Sequence, residues 1–249
     1  MAIIIKTKDE IAVMREGGKI LARILKKVSK MVKPGIATSE LNRVAEALIL
    51  KSGGRCSFLG YQGYPACLCT SINEEIVHAI PSDRVLNEGD IISLDIGILY
   101  KGFHTDMAVT VPVGRVGSEV KKLMKVTQKA LKISIEKSKP GGKFSDISRA
   151  VQNYIESQGF GVVKDLCGHG IGRKLHEDPE ILNYIENNFE DSIIEEGMVF
   201  CPEPMVSVGS GKIKQSKDGF GYKTVDDSWA CHFEHTITIT KRGVKILTK

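Results

Sequence analysis

Aromatic residues are scarce in this chain of 249 residues, where they make up 6% of the sequence and include a single tryptophan. This content is too low for the stacked aromatic surfaces that bind single-stranded nucleic acid. Long apolar runs are also missing. None approaches the ~18 residues that a membrane span needs, and the apolar stretch within residues 1–10 is too short for a secretory signal. We therefore expect a cytoplasmic protein with no membrane partner.

Neither sign of charge dominates the chain, since 35 lysines and arginines stand against 30 aspartates and glutamates. The net charge of +5 permits an anionic partner without requiring one. Hydrophobic residues at 42% and charged residues at 26% exclude a disordered or collagen-like chain. The length suffices for one large hydrophobic core or two smaller ones.

Cysteine pairs of the CxxC type are absent. The six cysteines are Cys56, Cys67, Cys69, Cys167, Cys201 and Cys231. A chain of this size does not need a disulfide framework, so we expect all six to be reduced thiols packed in the interior. A Walker loop, a Gly-x-Ser-x-Gly elbow, an HExxH motif and the dinucleotide-binding glycine pattern are absent as well, which argues against the corresponding enzyme classes.

An internal repeat organises the chain. Pro34-Gly35 and the segment 38–43 recur as Pro140-Gly141 and the segment 144–149. Two further pieces recur in the same order: residues 88–95 match 196–203, and residues 106–111 match 234–239. Three matching pieces in one order exceed chance similarity. We interpret residues 1–249 as one domain made of two like halves, at roughly 10–115 and 118–249.

Each half begins with two predicted helices and continues into strands. In the first half, apolar residues recur at helical spacing over 20–28 and again over 41–49. Ser39 and Ser145 are predicted to supply the hydroxyl that caps the second helix of each half, and a glycine ends each of these helices. The following segments alternate with period two and turn back at 100–102 as a hairpin. The predicted class is α+β, with antiparallel strands and helices covering one face.

Alternation places two acidic residues on one face of this hairpin. Along 91–99 the even positions are apolar and are predicted to face the helices, whereas Asp95 lies on the opposite face. In the return strand the odd positions are apolar, and Asp106 lies opposite them. A turn centred on Tyr100 and Lys101 would set Asp95 directly across from Asp106, with Cβ atoms ~5 Å apart. Two such carboxylates need a cation between them or a proton on one.

The second half supplies two more acidic residues. The repeat matches Asp95 with Glu203 and Asp106 with Glu234. Glu203 stands between two prolines, which exclude it from the centre of a regular ladder. Glu234 is predicted on one face of a strand over 233–239. A single acid in a strand is usually solvated, but four at matched positions indicate a shared site if a pseudo-twofold axis relates the halves.

A histidine completes the set of donors. His169 lies in the glycine-rich run 167–172, whose backbone permits close approach. Four carboxylates and one imidazole suit a pair of divalent ions such as Mn, Fe, Co or Zn. Ions bridged by carboxylates lie ~3.5–4 Å apart and acidify a shared water.

Several short motifs surround these residues. They are IVHAIP at 76–81, GFHTD at 102–106, CGHGIG at 167–172, HEDP at 176–179, Glu203-Pro204 and EHT at 234–236. Together with Asp95 they resemble the motifs of the bacterial type I methionine aminopeptidases, over essentially the whole chain. The resemblance implies the pita-bread fold, in which two pseudo-symmetric halves, with a curved antiparallel sheet covered by helices, surround a dinuclear metal site.

The resemblance also implies a role for each donor. Asp95 would chelate one ion, Asp106 and Glu234 would bridge both ions, and His169 and Glu203 would hold the other. The ions would be Co, Mn, Fe or Zn, and the ligand set leaves their identity open. Glu203 would in addition shuttle a proton from the attacking water to the leaving amine.

The implied reaction is removal of the initiator methionine from nascent proteins with a small second residue, by attack of a metal-bridging hydroxide. His176 would stabilise the oxyanion, and His78 would contact the scissile amide or the N-terminal residue. The partners would be nascent polypeptide N-termini and the ribosome, and the enzyme would be a monomer. Since the chain begins Met1-Ala2, it would be its own substrate.

The methionine pocket is placed by the same resemblance. Its lining residues would be Phe58, Tyr61, Tyr64, Cys69, His78, Leu175 and Phe220. Phe58, Leu175 and Phe220 stand where the best-known members carry cysteine, phenylalanine and tryptophan, so the pocket volume is expected to differ. The remaining histidines, His104, His232 and His235, are expected to be satisfied by neighbouring groups without a role at the site.

Two other functions are compatible with such a fold. A proline-specific pita-bread peptidase is disfavoured because those enzymes usually carry an extra N-terminal domain, whereas the first helix here begins within about twenty residues. An inactive pita-bread protein that binds RNA or ribosomes would suit the basic pI of 8.8. It is disfavoured because all five expected metal ligands are present.

Overall fold

The structure is a computed structural model and describes residues 3–187 and 191–249. The expectation about Met1 and Ala2 falls outside the described residues. The helices are α1 (Lys8–Ser29), α2 (Thr38–Lys51), α3 (Ser118–Lys137) and α4 (Phe144–Ser157), with a short 3-10 helix at Tyr61–Gly63. Within the described ranges, none of these helices combines the length and apolar character that would let it span a lipid bilayer.

The strands fall into two groups along the chain. In the first half they are β1 (Arg55–Cys56), β2 (Leu68–Ile72), β3 (Glu75–Val77), β4 (Ile91–Tyr100) and β5 (Phe103–Pro112). In the second half they are β6 (Gly161–Val162), β7 (Gly168–Gly170), β8 (Glu177–Ile181), β9 (Val199–Cys201), β10 (Met205–Ser207), β11 (Ile213–Gln215), β12 (Tyr222–Thr224), β13 (Ala230–His232), β14 (Ile237–Thr240) and β15 (Gly243–Ile246).

The predicted antiparallel α+β class is confirmed, and the sheet is divided into smaller ones. One sheet holds β1, β2, β4 and β5, and another holds β7, β8, β9, β14 and β15. A third joins β6, β10 and β13. The fourth joins the halves, because β3 of the first half pairs with the hairpin β11–β12 of the second.

Separate hydrophobic cores lie beneath the two helix pairs. Leu21 of α1 and Leu41 of α2 pack against Ile92 and Ile96 of β4, so the even positions of that strand are buried as predicted. Leu123 of α3 and Phe144 of α4 belong to a second core with Phe200 of β9. The helices therefore cover one side of the strands, which leaves the other side for the polar residues of β4 and β5.

The β4–β5 hairpin has the predicted faces but a different register. Its two-residue turn is Lys101-Gly102, and both residues have positive φ, at 49° and 84°. Such a turn matches the twist of antiparallel strands and pairs Tyr100 with Phe103. Asp95 consequently lies opposite Ala108, and Asp106 lies opposite Gly97. The predicted direct opposition of the two acids is wrong, although they remain diagonal neighbours on one face.

The serines predicted to cap α2 and α4 do not do so. Ser39 and Ser145 already lie inside the first turn of their helices, because the helices begin one residue before them. Their hydroxyls instead donate to Asp83 and Asp191, at 3.2 and 2.7 Å. The glycine after each helix has positive φ, 80° and 84°, and ends it as predicted. The matching serine–aspartate pairs support the internal repeat.

The expectation of six reduced cysteines is wrong, because Cys56 and Cys67 form a disulfide. Cys56 lies opposite Ile98 of β4, and Leu68 lies opposite Ile96. β1 and the start of β2 therefore follow each other along the same edge of β4, which brings the two cysteine Cα atoms to 5.2 Å. That separation suits a disulfide. The other cysteines, Cys69, Cys167, Cys201 and Cys231, are free thiols.

Candidate metal centre

A cavity of about 320 Å³ has walls from both halves of the chain. All of the residues that the sequence predicted for the site line it: Asp95, Asp106, His169, Glu203, Glu234, His78, His176, Phe58, Tyr61, Tyr64, Cys69, Leu175 and Phe220. Leu166, Gln215 and Tyr222 add to its wall. The tertiary structure thus assembles in one place residues that lie far apart in the sequence.

Three carboxylates that line this cavity lie close together. Asp95, Asp106 and Glu234 each offer an oxygen, and these oxygens lie within 4.8 Å of one another. All three side chains are buried, and each keeps one oxygen without a hydrogen-bond partner among the described residues. A buried carboxylate oxygen with no partner is unfavourable unless a cation occupies its lone pairs. The donors therefore fit a metal ion.

Glu234 reaches this cluster through a connection between the halves. It was predicted within a strand, but residues 233–236 lie between β13 and β14 and form neither. The amide of Glu234 donates to the carbonyl of Ala108 at 3.0 Å, and the amide of Ala108 donates back at 3.4 Å. Thr236 Oγ1 accepts from the amide of Asp106 at 2.8 Å. The backbone of 234–236 thus pairs with β5 instead of extending β14, which sets Glu234 beside Asp106.

His169 presents one ring nitrogen to the acidic residues. Its Nδ1 lies 2.9 Å from the carbonyl of Gly170 and donates to it, so the proton is held on that side of the ring. The lone pair on Nε2 then faces Glu203 Oε1 at 3.6 Å and Glu234 Oε1 at 4.0 Å. Burial lowers the pKa of His169 to about 3, so the imidazole is neutral. This is the form in which histidine binds metals.

The buried carboxyl groups of this cluster would be stabilised in their charged form by a cation. Burial raises the pKa of Asp95, with a further contribution from the Asp106 carboxylate, and burial likewise raises the pKa of Glu203 and of Glu234. The pKa of Asp106 rises to about 7, mainly through burial and then through the charge of Glu203. No lysine or arginine of the described chain lines the cavity. Oxygen donors with one imidazole nitrogen suit divalent first-row ions.

Two further histidines line the same cavity. His176 Nδ1 lies 3.0 Å from the hydroxyl of Tyr61, and its ring centroid is 4.3 Å from that of His169. His78 adopts a positive φ of 60° and packs against Tyr222 with ring centroids 6.1 Å apart. Burial lowers the pKa of His176 and brings that of His78 to about 4. Both are therefore neutral at pH 7.

An apolar lobe adjoins the acids. Tyr64 packs edge-on against Phe58 and Phe220, with ring centroids 6.5 and 5.6 Å away. The hydroxyl of Tyr64 lies 3.2 and 3.1 Å from the carbonyls of Leu68 and Ala79, which fixes the ring. Cys69 is buried beside it. The lobe can hold an apolar side chain a short distance from the carboxylates.

Sequence reasoning missed two residues beside the acids. Cys201 offers a sulfur within 4.8 Å of donor atoms of His169 and Glu234. His232 was expected to have no role, yet its Nε2 lies 3.1 Å from Glu203 Oε2. Position 232 has the same parity as position 234, so alternation could have placed both on one side of an extended segment. Nothing in the sequence indicated that Cys201 lies at the site.

Comparison with known proteins decides the family. The sequence matches the model of metallopeptidase family M24 over residues 12–241. The chain belongs to family M24. Two curated M24 relatives are methionine aminopeptidase 1 of Bacillus subtilis, 46% identical over 99% of both chains, and the methionine aminopeptidase of Escherichia coli K12, 40% identical over 100% of this chain and 94% of the relative.

Solved structures agree with this assignment. The methionine aminopeptidase of Rickettsia prowazekii superposes with a TM-score of 0.96 at 38% identity, over 100% of both chains. The prolidase of Pyrococcus furiosus gives a TM-score of 0.78 at 24% identity, over 99% of this chain and 65% of that one. The latter likeness shows the fold alone. Family M24 consists of metallopeptidases, so the resemblance, the pita-bread fold and the need for divalent metal are confirmed.

Proposed function

We propose that this M24 enzyme is an aminopeptidase that removes the initiator methionine from nascent proteins with a small second residue. One observation carries the proposal: the acid cluster, two neutral histidines and an apolar lobe share a single cavity. Full-length relatives named methionine aminopeptidase support it. The cavity offers the groups that an exopeptidase needs, namely metal donors, proton carriers and a pocket for one apolar side chain.

Two divalent ions are proposed for the acid cluster. Asp95 would chelate one ion, Asp106 and Glu234 would bridge the two, and His169 and Glu203 would hold the second. Such ions supply Lewis-acid polarisation of a carbonyl and lower the pKa of a water. Co, Mn, Fe and Zn all suit the donors, and availability decides between them.

Glu203 is proposed as the proton carrier. Its carboxylate lines the same cavity as the other donors, where it can exchange a proton with a water bound there. It stands between two prolines, so its backbone has little freedom. It would accept a proton from water and release it to the leaving amine.

His176 and His78 are proposed to hold the peptide. The hydroxyl of Tyr61 can donate to His176 Nδ1, which leaves the Nε2–H of His176 free to donate to the scissile carbonyl oxygen. His78 lines the same cavity and would contact the scissile amide or the N-terminal residue. Both imidazoles are kept neutral by burial, so they add no positive charge that would compete with metal.

The apolar lobe is proposed as the methionine pocket. A thioether packs well against aromatic ring edges, and Phe58, Tyr61, Tyr64 and Phe220 present such rings, while Cys69 and Leu175 complete the lining. An unbranched side chain can enter a lobe that a β-branched one would not fit. This explains why methionine would be selected.

The two halves are proposed to act as one catalytic domain over residues 1–249, since the donors come from both. The substrate would be the N-terminus of a nascent polypeptide. We place the enzyme in the cytoplasm with the ribosome as a partner, because the substrate emerges there, and we expect a monomer. A failure to co-sediment with ribosomes at low as well as high salt would refute the ribosome interaction.

A single assay separates this proposal from its rivals. Metal-loaded protein is incubated with Met-Ala-Ser and with an Ala-Pro peptide, and the free amino acids are measured. We expect methionine only. Free alanine would indicate a proline-specific peptidase, and no release would indicate an inactive binding protein.

The role of Glu203 is tested by Glu203→Gln, which keeps the shape of the side chain and removes its charge. We expect near-complete loss of turnover. The matched control is Glu180→Gln on β8, which removes a charge from an exposed glutamate and should leave turnover unchanged. Survival of turnover in Glu203→Gln at wild-type metal content would show that Glu203 carries no essential proton.

A further inference from the structure

Glu203 stands between two imidazoles, one on each of its oxygens. Oε1 lies 3.6 Å from Nε2 of His169, and Oε2 lies 3.1 Å from Nε2 of His232. His232 is 1% exposed, so water does not compete for this contact. The two oxygens of one carboxylate are thereby distinguished: one faces the proposed metal donor and the other faces a histidine at the end of β13.

The direction of the hydrogen bond follows from the atoms available. A neutral imidazole carries one N–H, on either Nδ1 or Nε2. His232 Nδ1 is buried and has no partner among the described residues. With the proton on Nδ1, that N–H would be orphaned and the lone pair on Nε2 would face the carboxylate of Glu203. With the proton on Nε2, His232 donates to Oε2 and both problems disappear.

The backbone of His232 is held by the other half of the molecule. Thr110 Oγ1 on β5 donates to the carbonyl of His232 at 2.8 Å and accepts from its amide at 3.0 Å. The hydroxyl of Ser93 lies 2.7 Å from Thr110 Oγ1 and can complete the network. β13 also pairs with β10, where Met205 is the partner of His232. The backbone of His232 is therefore placed by contacts that do not involve Glu203.

We propose that His232 is a positioning residue for Glu203. Its Nε2–H donates to Oε2, which stops the carboxylate from rotating and aims Oε1 towards His169 and the metal donors. This inference rests on the proposed function in that Glu203 is taken as a ligand. Hydrogen bonds from outside the coordination sphere orient metal ligands in this way, and their loss weakens metal binding.

The test compares two substitutions. His232→Gln retains an N–H donor on a side chain of similar reach, whereas His232→Leu retains bulk and removes the donor. Mn²⁺ binding to the metal-free proteins is measured by titration calorimetry. We expect His232→Leu to weaken Mn²⁺ binding about 10–100-fold and His232→Gln to stay within about threefold of the wild type. Equal affinity in all three proteins would overturn the inference.

A substitution at a second histidine serves as the control for a general effect on folding. His104 hydrogen-bonds Ser57 at 2.9 Å and contacts no proposed ligand, so His104→Leu should leave Mn²⁺ affinity unchanged. A loss of affinity in His104→Leu as large as in His232→Leu would show a general effect of removing a histidine from the interior, and would refute the specific role.

A measurement on the wild-type protein keeps the inference testable even if His232→Leu does not fold. Nitrogen chemical shifts of ¹⁵N-labelled histidine identify the protonated ring nitrogen. We expect the Nε2–H tautomer for His232, and an Nδ1–H tautomer would overturn the inference. Peptide assays separate this result from the proposed function: weakened Mn²⁺ binding in His232→Leu together with no methionine release by the wild type would refute the aminopeptidase activity alone.

Discussion

Breaking the Cys56–Cys67 disulfide is expected to destabilise the protein and to loosen one wall of the cavity. The bond closes a loop across a sequence separation of 11, and a loop of this length corresponds to ~3 kcal/mol at 25 °C in the chain-entropy model. For a chain of this size, ~3 kcal/mol corresponds to a fall of about 6–12 °C in Tm. The closed loop carries Phe58, Tyr61 and Tyr64, which line the cavity.

The loop is also expected to affect how tightly the substrate binds. Because Tyr61 holds His176 at 3.0 Å, a looser loop should release both the pocket wall and this histidine. We expect KM for a methionyl peptide to rise on reduction. The double substitution Cys56→Ser and Cys67→Ser should reproduce both effects without reductant.

The assay is thermal unfolding followed by circular dichroism, on the metal-free protein with and without a phosphine reductant. The double-serine variant is the control, since its Tm should not respond to the reductant. Alkylation of the unreduced, unfolded protein should label four of the six cysteines, the four that are free in the structure. Six labelled cysteines in freshly prepared protein, or an unchanged Tm on reduction, would refute the reasoning. The result is informative because proteins in the proposed location, the cytoplasm, seldom retain disulfides.

Three further predictions concern charge. Asp106→Asn should abolish tight binding of at least one ion together with turnover, since bridging needs two anionic oxygens; full activity would refute the bridging role. In the metal-free protein the buried carboxyl groups have raised pKa values. The folded state therefore keeps protons on them that the unfolded state loses from about pH 4 upward, and the pKa of Asp106 is about 7. Above about pH 7 the histidines are neutral in the unfolded state as well, so only the carboxyl groups still release protons on unfolding. The free energy of unfolding measured with urea should therefore fall as pH rises from 7 to 9, and a rise would contradict these pKa values. Lys6 pairs with Glu177 at 2.5 Å, and both side chains are 3% exposed. Lys6→Met leaves the buried carboxylate of Glu177 without its cation, so it should lower the free energy of unfolding in urea by about 3–5 kcal/mol. Adding Glu177→Gln should recover most of that loss.

Much of the site could be predicted from the sequence because the face on which a side chain lies depends on residues adjacent to it in the chain. Alternation along β4 and β5 assigns Asp95 and Asp106 to one face, whatever the other half does. The prolines around Glu203 keep it out of a strand, as the structure confirms. The internal repeat then indicates that two further acids occupy matching places.

Only the tertiary structure decided how these pieces meet. The register of the hairpin depended on which two residues take positive φ in the turn, and the pairing of Glu234 with Ala108 depended on β5 of the other half. The Cys56–Cys67 bond and the contact between His232 and Glu203 likewise join residues through β4 and β13 rather than through neighbours in sequence. Residue patterns determine which face a side chain takes, since that depends on the local backbone. Distances across the chain depend on packing and on backbone hydrogen bonds between segments, which no local pattern records.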